Sequence, residues 1–431
     1  MIDCYLLDGH IYHEKIRYCN FKYIIENTTC NLELLNSIPS DVIILILDEY
    51  SRKLSRNKNM LKIEGVAYLS FFLRKANIEK LIELNIGNKK YLDDFVDKGK
   101  GKFVKAQGRG ISCHWVAGNV YTLAIYSVVQ SIIAKNFNIA RIPEQSLQMV
   151  LKLLECMENI EVNYMGKSYS SIDILKNICI IYFNSKDEDL NREMSHIADS
   201  RIVWGGQYAV EHISLLPKKT TCKDIIFGPK YSFAVFDSDI LECDSCEKYM
   251  DRLVLDIVLF GQKACSSPQV LFVEKSNKTL NYIVKMLESS FEKIGVKHKN
   301  ILDEGQCTKI INERGFYSLS LDKDICCSRG MEYTILINND IKLEEPVGGR
   351  CIFVKEIDSI FNLEALITRR IQTVGFAIKD ENKIFKFADL VTKAGVDRVI
   401  NIGNMNDYDC PWDGYLMINE LVRWCCVTMD N

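Results

Sequence analysis

Cys265 lies in the stretch Phe260-Gly261-Gln262-Lys263-Ala264-Cys265-Ser266-Ser267-Pro268-Gln269, with small residues on both sides of the thiol. A nucleophilic cysteine needs partial exposure, a lowered thiolate pKa and room for a carbonyl to approach. A loop with Gly261 and small neighbours supplies these, and a buried thiol under a turn is the competing reading. Asn119, in Ala117-Gly118-Asn119-Val120 ahead of a long apolar segment, carries an amide that could donate to a developing oxyanion, helped by the partial positive charge of a helix N-terminus. As a helix N-cap it would serve the backbone alone. Trp204-Gly205-Gly206 ends one run and opens another. That junction suits a dinucleotide phosphate, although its spacing is not G-x-G-x-x-G and an ordinary glycine turn accounts for it equally well.

Other groups carry less. Cys243-Asp244-Ser245-Cys246 is a lone CxxC, and zinc would need a second pair or suitably spaced histidines, so no metal site is expected. The six histidines, at 10, 13, 114, 196, 212 and 298, are dispersed. Lys98-Gly99-Lys100-Gly101-Lys102 lacks the glycine spacing and the Lys-Ser/Thr of a phosphate loop and reads as a solvated turn.

The elements that must hold these residues alternate in type. Val120 to Lys135 reads as a buried helix, Ile139 to Ile142 as a strand stopped by Pro143, and Ile178 to Phe183 as a strand. A polar helix from about Glu188 to Ala198, a strand from Arg201 to Trp204 and a helix through about Leu215 follow. Strands alternating with helices imply a largely parallel sheet covered on both faces. A second such region begins with a helix from Lys248 to Leu259, whose Met250, Leu253, Val254, Ile257 and Val258 share one face. A strand from Val270 to Val273 and a helix from Asn277 to Ile294 complete it. Cys265 therefore falls in the loop joining a helix to a strand, where chemistry tends to sit on a rigid scaffold.

The chain has 431 residues, room for two or three domains, with 48% hydrophobic and 26% charged residues. Only 7 Pro and 23 Gly occur and no low-complexity linker separates modules, so the domains are expected to pack together. With 54 basic and 57 acidic side chains the net charge is −3. That balance argues against bulk electrostatic binding to nucleic acid or to an anionic membrane. No segment is a continuous apolar run long enough to span a bilayer, so no membrane span is expected. The seventeen cysteines are odd in number and irregularly spaced from Cys4 to Cys426. A long chain opening Met1-Ile2-Asp3-Cys4, without a basic and then apolar leader, is expected in the cytoplasm with its thiols reduced.

Taken in order, Ala117-Gly118-Asn119-Val120, Ala198-Asp199 through Trp204-Gly205-Gly206, Phe227-Gly228-Pro229-Lys230, the Gly261 to Gln269 stretch and Trp412-Asp413-Gly414…Leu421-Val422-Arg423-Trp424 resemble the bacterial long-chain acyl-CoA (fatty acid) reductases. These are the Lux-type branch of the aldehyde dehydrogenase superfamily. The resemblance covers about residues 105 to 275 closely and about 345 to 427 more loosely, while residues 1 to 100 carry no motif. It implies an α/β, aldehyde dehydrogenase-like fold with a Rossmann-type cofactor domain and an α/β catalytic domain. The expected division is an N-terminal region and NAD(P)-binding domain over residues 1–222, a catalytic domain over 223–405, and a segment over 406–431 that packs back on the body.

By match of motif the resemblance implies Cys265 as nucleophile and Asn119 as oxyanion donor. It places Arg141 where the superfamily has a lysine at the adenosine ribose or its 2′-phosphate, and Gly205 and Gly206 beside the pyrophosphate. Glu144, after Pro143, falls near the acidic residue that contacts the ribose 2′-OH and disfavours a 2′-phosphate. NADPH is the family's usual cofactor, with NADH the alternative. In aldehyde-oxidising relatives the segment matching Ile225-Ile226-Phe227-Gly228 carries a glutamate that activates water; Ile226 stands there instead and cannot act as a base. The implied activity is reduction of an acyl-CoA or acyl-carrier thioester to an aldehyde by a homo-oligomer working beside an acyl-protein synthetase. A CoA-acylating aldehyde dehydrogenase running oxidatively, or a non-catalytic member that binds a partner, are the alternatives.

Overall fold

The β-branched and aromatic runs Ile111–Trp115, Phe137–Arg141, Ile178–Tyr182, Ser200–Trp204 and Lys223–Phe227 form the parallel part of a seven-stranded sheet. Its order is Lys223–Phe227, Ser200–Trp204, Ile111–Trp115, Phe137–Arg141, Ile178–Tyr182, Ile2–Leu7 and His10–Tyr18, the last two antiparallel. After Ile178–Tyr182 the chain crosses back over Ile111–Trp115 to lay down Ser200–Trp204. Strand order reverses there, and open α/β sheets bind ligands beyond the strand ends at such a switch point. The helix Leu123–Ile133 is buried at every position, as its apolar sequence requires.

The computed structural model describes residues 1–429. The chain divides into two units: Met1–Gly228 with the C-terminal stretch from Tyr408, and Pro229–Asp407. The first break falls after Gly228 rather than after residue 222, because Lys223–Phe227 pairs along its length with Ser200–Trp204. The second falls after Asp407 rather than 405. Residues 1 to 100, silent by motif, supply the antiparallel edge of the first sheet and four helices, Thr28–Ser37, Ser40–Arg56, Val66–Phe72 and Lys75–Ile86. The apolar run Val42 to Leu47 is part of an amphipathic helix whose Tyr50 hydroxyl donates to the Leu153 carbonyl at 2.9 Å. Among the described residues no single helix is long and apolar enough to cross a membrane.

The second unit is built on another seven-stranded sheet. Its order is Asp324–Cys327, Thr334–Ile337, Cys351–Ile357, Pro268–Glu274, Tyr231–Phe236, Ile371–Ala377 and Arg398–Asn401, parallel except for the first. Pro268–Glu274 lies at the centre and is buried along its whole length, as expected of a parallel strand covered on both faces. The helix Cys246–Val258 presents Met250, Leu253, Val254, Ile257 and Val258 to the core, the face its periodicity predicts. Asp256 is buried on the same helix. A carboxylate there departs from the apolar pattern.

Candidate active site

Cys265 sits three residues before the central strand Pro268–Glu274 and is half-buried. The chain reaches it through a left-handed turn: Phe260, Gly261 and Gln262 have φ of 57°, 56° and 63°. Glycine adopts that conformation freely, whereas for Phe260 and Gln262 it costs about 1 to 2 kcal/mol each. The Gln262 side chain offsets this by donating through Nε2 to the carbonyls of Pro268 (2.8 Å) and Cys351 (2.9 Å), and the Gly349 N–H donates to the Gly261 carbonyl at 3.2 Å. Beyond the turn, the Ser232 hydroxyl donates to the Cys265 carbonyl at 2.7 Å. The Ser267 N–H closes onto Ala264 O at 3.0 Å, and Gln269 Nε2 donates to the carbonyls of Gln262 and Ser267, both at 3.2 Å. The backbone carbonyls around the thiol are thus turned inward and bonded. Cys113 and Cys351 differ sharply: both are fully enclosed, and burial pushes their thiols up, away from the reactive thiolate.

In the first unit a cavity of about 410 Å³ opens at the switch point, beyond the ends of Ile111–Trp115 and Ser200–Trp204. Trp115, Arg141, Trp204, Tyr208 and His212 are among its walls. Arg141 ends the strand Phe137–Arg141, donates through Nε and Nη2 to the Phe183 carbonyl at 3.3 and 3.1 Å, and lies over the Phe183 ring. Gly205 donates its N–H to Phe227 O at 3.1 Å, and a Cβ on it would press on Ala209. Gly206 opens the helix Gln207–Leu215, which has no side-chain cap, and a Cβ at Gly206 would point into open space. These features leave the helix N-terminus accessible to an anion. Tyr208 and His212, one turn apart on that helix, stack at 6.1 Å with 15° between planes. Cavity size, bare helix start, aromatic faces and cations suit a dinucleotide. Sequence reasoning passed over Tyr208, His212 and Lys186; the signal for the first two is their i, i+4 spacing just after a glycine pair.

Glu144 is exposed at the start of the helix Glu144–Glu155, where it accepts a hydrogen bond from the Tyr182 hydroxyl at 3.3 Å; it is not part of the cavity wall. Asn119 does not cap the apolar helix, which begins at Leu123 after Thr122. It is exposed in the preceding turn, and Gly118 beside it packs so closely on Gln145 and Pro143 that a side chain would collide. Asn119 belongs to the first unit and Cys265 to the second. Ile226 packs against the apolar core of the first unit. His114 is enclosed between Ser127 Oγ (2.8 Å) and Asn138 Oδ1 (3.0 Å), and burial lowers its pKa to about 4, so it is a neutral structural group. Cys246 is buried in the helix Cys246–Val258, while Cys243 Sγ contacts Ser245 Oγ at 3.2 Å.

A switch-point cavity in one α/β unit and a cysteine loop heading the central strand of the other define an aldehyde dehydrogenase-type fold. Solved structures agree: aldehyde dehydrogenase 21 from Physcomitrella patens matches with a TM-score of 0.71 at 13% identity, covering 100% of this chain and 95% of that one. A putative aldehyde dehydrogenase from Burkholderia cenocepacia matches with a TM-score of 0.71 at 10% identity, covering 99% and 97%. Residues 38–424 match the family model described as acyl-CoA reductase (LuxC), and the chain belongs to that family of oxidoreductases. The long-chain acyl-protein thioester reductase of Photorhabdus laumondii is 22% identical over 402 residues, spanning 88% of this chain and 78% of the relative. That of Vibrio harveyi is 22% identical over 451 residues, spanning 95% and 87%.

Proposed function

We propose that this protein reduces an acyl thioester, carried on CoA or on a protein, to the aldehyde through an acyl-enzyme on Cys265. The observation that carries the reading is the half-buried Cys265 thiol in a loop whose carbonyls are tied away from it. The names of the relatives, long-chain acyl-protein thioester reductases, support the substrate class.

Cys265 as thiolate attacks the thioester carbonyl carbon; the carbonyl π pair moves to oxygen, then returns as the donor's C–S bond breaks, and the expelled thiolate takes up a proton. Asn119 and the Cys265 backbone N–H are assigned as oxyanion donors, and loss of one such donor costs roughly 3 to 4 kcal/mol of transition-state stabilisation. A nicotinamide cofactor, when bound, would supply the hydride that reduces the enzyme thioester. The resulting hemithioacetal on Cys265 collapses, returning the thiolate and releasing aldehyde. Ile226 supports this ending: an isoleucine activates no water, so the acyl group leaves by reduction or by exchange with a thiol rather than by hydrolysis.

Arg141, the N–H groups at the start of Gln207–Leu215, and the faces of Tyr208 and His212 are the groups that would hold the cofactor. NADPH is the assigned form: Arg141 and Lys186 line the cavity together with Glu188, and Glu144 stands off its wall. An acyl-protein synthetase as donor partner and a homo-oligomeric state belong to the same proposal, tested by co-purification and light scattering.

The deciding experiment incubates wild type and Cys265→Ala with acyl-CoAs of graded chain length, following intact mass and NADPH oxidation. Wild type should gain one acyl mass and release aldehyde; Cys265→Ala should do neither. Full reductase activity in Cys265→Ala would exclude the nucleophile. Supplying aldehyde, NADP⁺ and CoA separates the oxidative alternative by its product.

A further inference from the structure

The buried Asp256 lies nine residues before Cys265, on the helix that leads into the reactive loop. One carboxylate oxygen, Oδ2, accepts the Gly403 N–H at 2.5 Å, and the Met405 N–H lies near enough to favour the ionised carboxyl. The other, Oδ1, is buried with no hydrogen-bond partner. The 403–406 turn that this carboxyl grips is also seated against the strand Ile371–Ala377, where a Cβ on Gly375 would run into the Met405 side chain. The turn in turn presents Asn406, itself buried. Asn406 Nδ2 donates to the Asp256 backbone carbonyl at 2.9 Å, and its Oδ1 accepts the Ser266 hydroxyl at 2.8 Å. Ser266 is the neighbour of Cys265, and the Ser232 hydroxyl donates to the Cys265 carbonyl in the peptide that joins the two.

A buried carboxyl without a counter-ion bonded to it is costly. Apolar residues would fill the position on this helix more stably. What the carboxyl does here is fix a turn from more than a hundred residues away, and through Asn406 fix the residue beside the thiol. We propose that Asp256 is a positioning residue for Cys265, acting through the 403–406 turn, Asn406 and Ser266 to hold the thiol in its reactive orientation. This rests on Cys265 being the reacting thiol. It goes beyond that reading by assigning the orientation of the thiol to a carboxyl that touches no substrate.

The test measures iodoacetamide alkylation of Cys265 in the full-length protein by peptide mass, with exposed Cys19 as the internal reference. The variants are Asp256→Leu, Asp256→Asn, Ser266→Ala and Asp256→Leu/Ser266→Ala, followed from pH 6 to 9. A misplacement of about 1 Å can cost on the order of 100-fold in rate; Ser266→Ala and Asp256→Leu are expected to slow Cys265 roughly tenfold while Cys19 is unchanged. Asp256→Asn, which keeps an acceptor for the turn, should react within twofold of wild type, and the double variant should be no slower than Asp256→Leu alone. A Cys265 rate in Ser266→Ala that is slowed less than threefold or raised overturns the proposal, as do Asp256→Asn behaving like Asp256→Leu and single effects that multiply. Ser266→Ala removes one oxygen and carries the test if Asp256→Leu does not fold. Reductase activity retained in Cys265→Ala would overturn the catalytic reading, whereas the alkylation rates judge the positioning on their own.

Discussion

Arg201 is fully buried at the start of the strand Ser200–Trp204, and it holds the far end of the helix that walls the switch-point cavity. Its Nε and Nη2 donate to the two oxygens of Asp224, both at 2.7 Å, and Nη1 donates to Ser195 Oγ (2.8 Å), Ile213 O (3.0 Å) and Leu216 O (3.2 Å). Arg201→Met removes all five bonds. The Ile213 and Leu216 carbonyls at the end of Gln207–Leu215 each lose one donor, Ile213 O keeping the Leu216 N–H at 3.2 Å, and Asp224 keeps Lys218 at 2.7 Å. Breaking a buried ion pair from one side costs about 3 to 5 kcal/mol. Asp224 is 24% exposed and retains Lys218, which places this case at the lower end, about 3 kcal/mol. For a unit of this size that is a fall in Tm of roughly 6 to 12 °C. The assay is favourable, because Trp115, Trp204, Trp412 and Trp424, the only tryptophans, all belong to the first unit. Tryptophan fluorescence in a urea titration therefore reports that unit alone. Arg201→Lys should fall between, since an ammonium keeps the charge and loses the fork. Stability of Arg201→Met within about 1 kcal/mol of wild type would refute the reasoning.

Two buried groups give the units opposite pH responses. His114 has its pKa lowered from 6.5 to about 4 by burial, so the stability it contributes is present above pH 6.5 and is lost as pH falls toward 4. The first unit should weaken in acid by up to about 1.4 kcal/mol per pH unit across that window, read by tryptophan fluorescence; a flat response would count against it. Asp256 is pushed up from 3.8 to about 8 by burial, which outweighs the Gly403 and Met405 N–H groups and Arg398, with Asp407 adding to the rise. Its contribution is present below pH 3.8 and is lost as pH rises toward 8, so Asp256→Asn should flatten the decline of the second unit across that window, followed by hydrogen exchange. Lys186→Ala and Arg141→Ala should each raise KM for NADPH more than for NADH, roughly tenfold for one lost phosphate contact; equal changes would argue that neither side chain meets a 2′-phosphate.

Much of the fold was legible locally. The helix expected over Val120 to Lys135 is observed at Leu123–Ile133, and the strand expected at Arg201 to Trp204 is observed at Ser200–Trp204. Those patterns depend on neighbours within one or two turns, which a sequence displays directly. The N-cap reading of Asn119 failed because the helix starts four residues later. Residues 1 to 100 carry no motif; they form an edge hairpin and helices, elements that any apolar face of the right period could supply.

The sequence by itself determined the alternation of strands and helices, the family, and the one cysteine set among small residues in a helix-to-strand loop. Only the tertiary structure decided what surrounds them. The reversal of strand order that opens a cavity beside Trp115 and Trp204 comes from a crossover that local periodicity does not encode. The joining of Asp256, Gly403, Asn406 and Ser266 depends on hydrogen bonds between residues about 140 to 150 positions apart. A buried carboxyl on an apolar helix face looks like an error of pattern until the distant Gly403 N–H that bonds one of its oxygens is brought alongside.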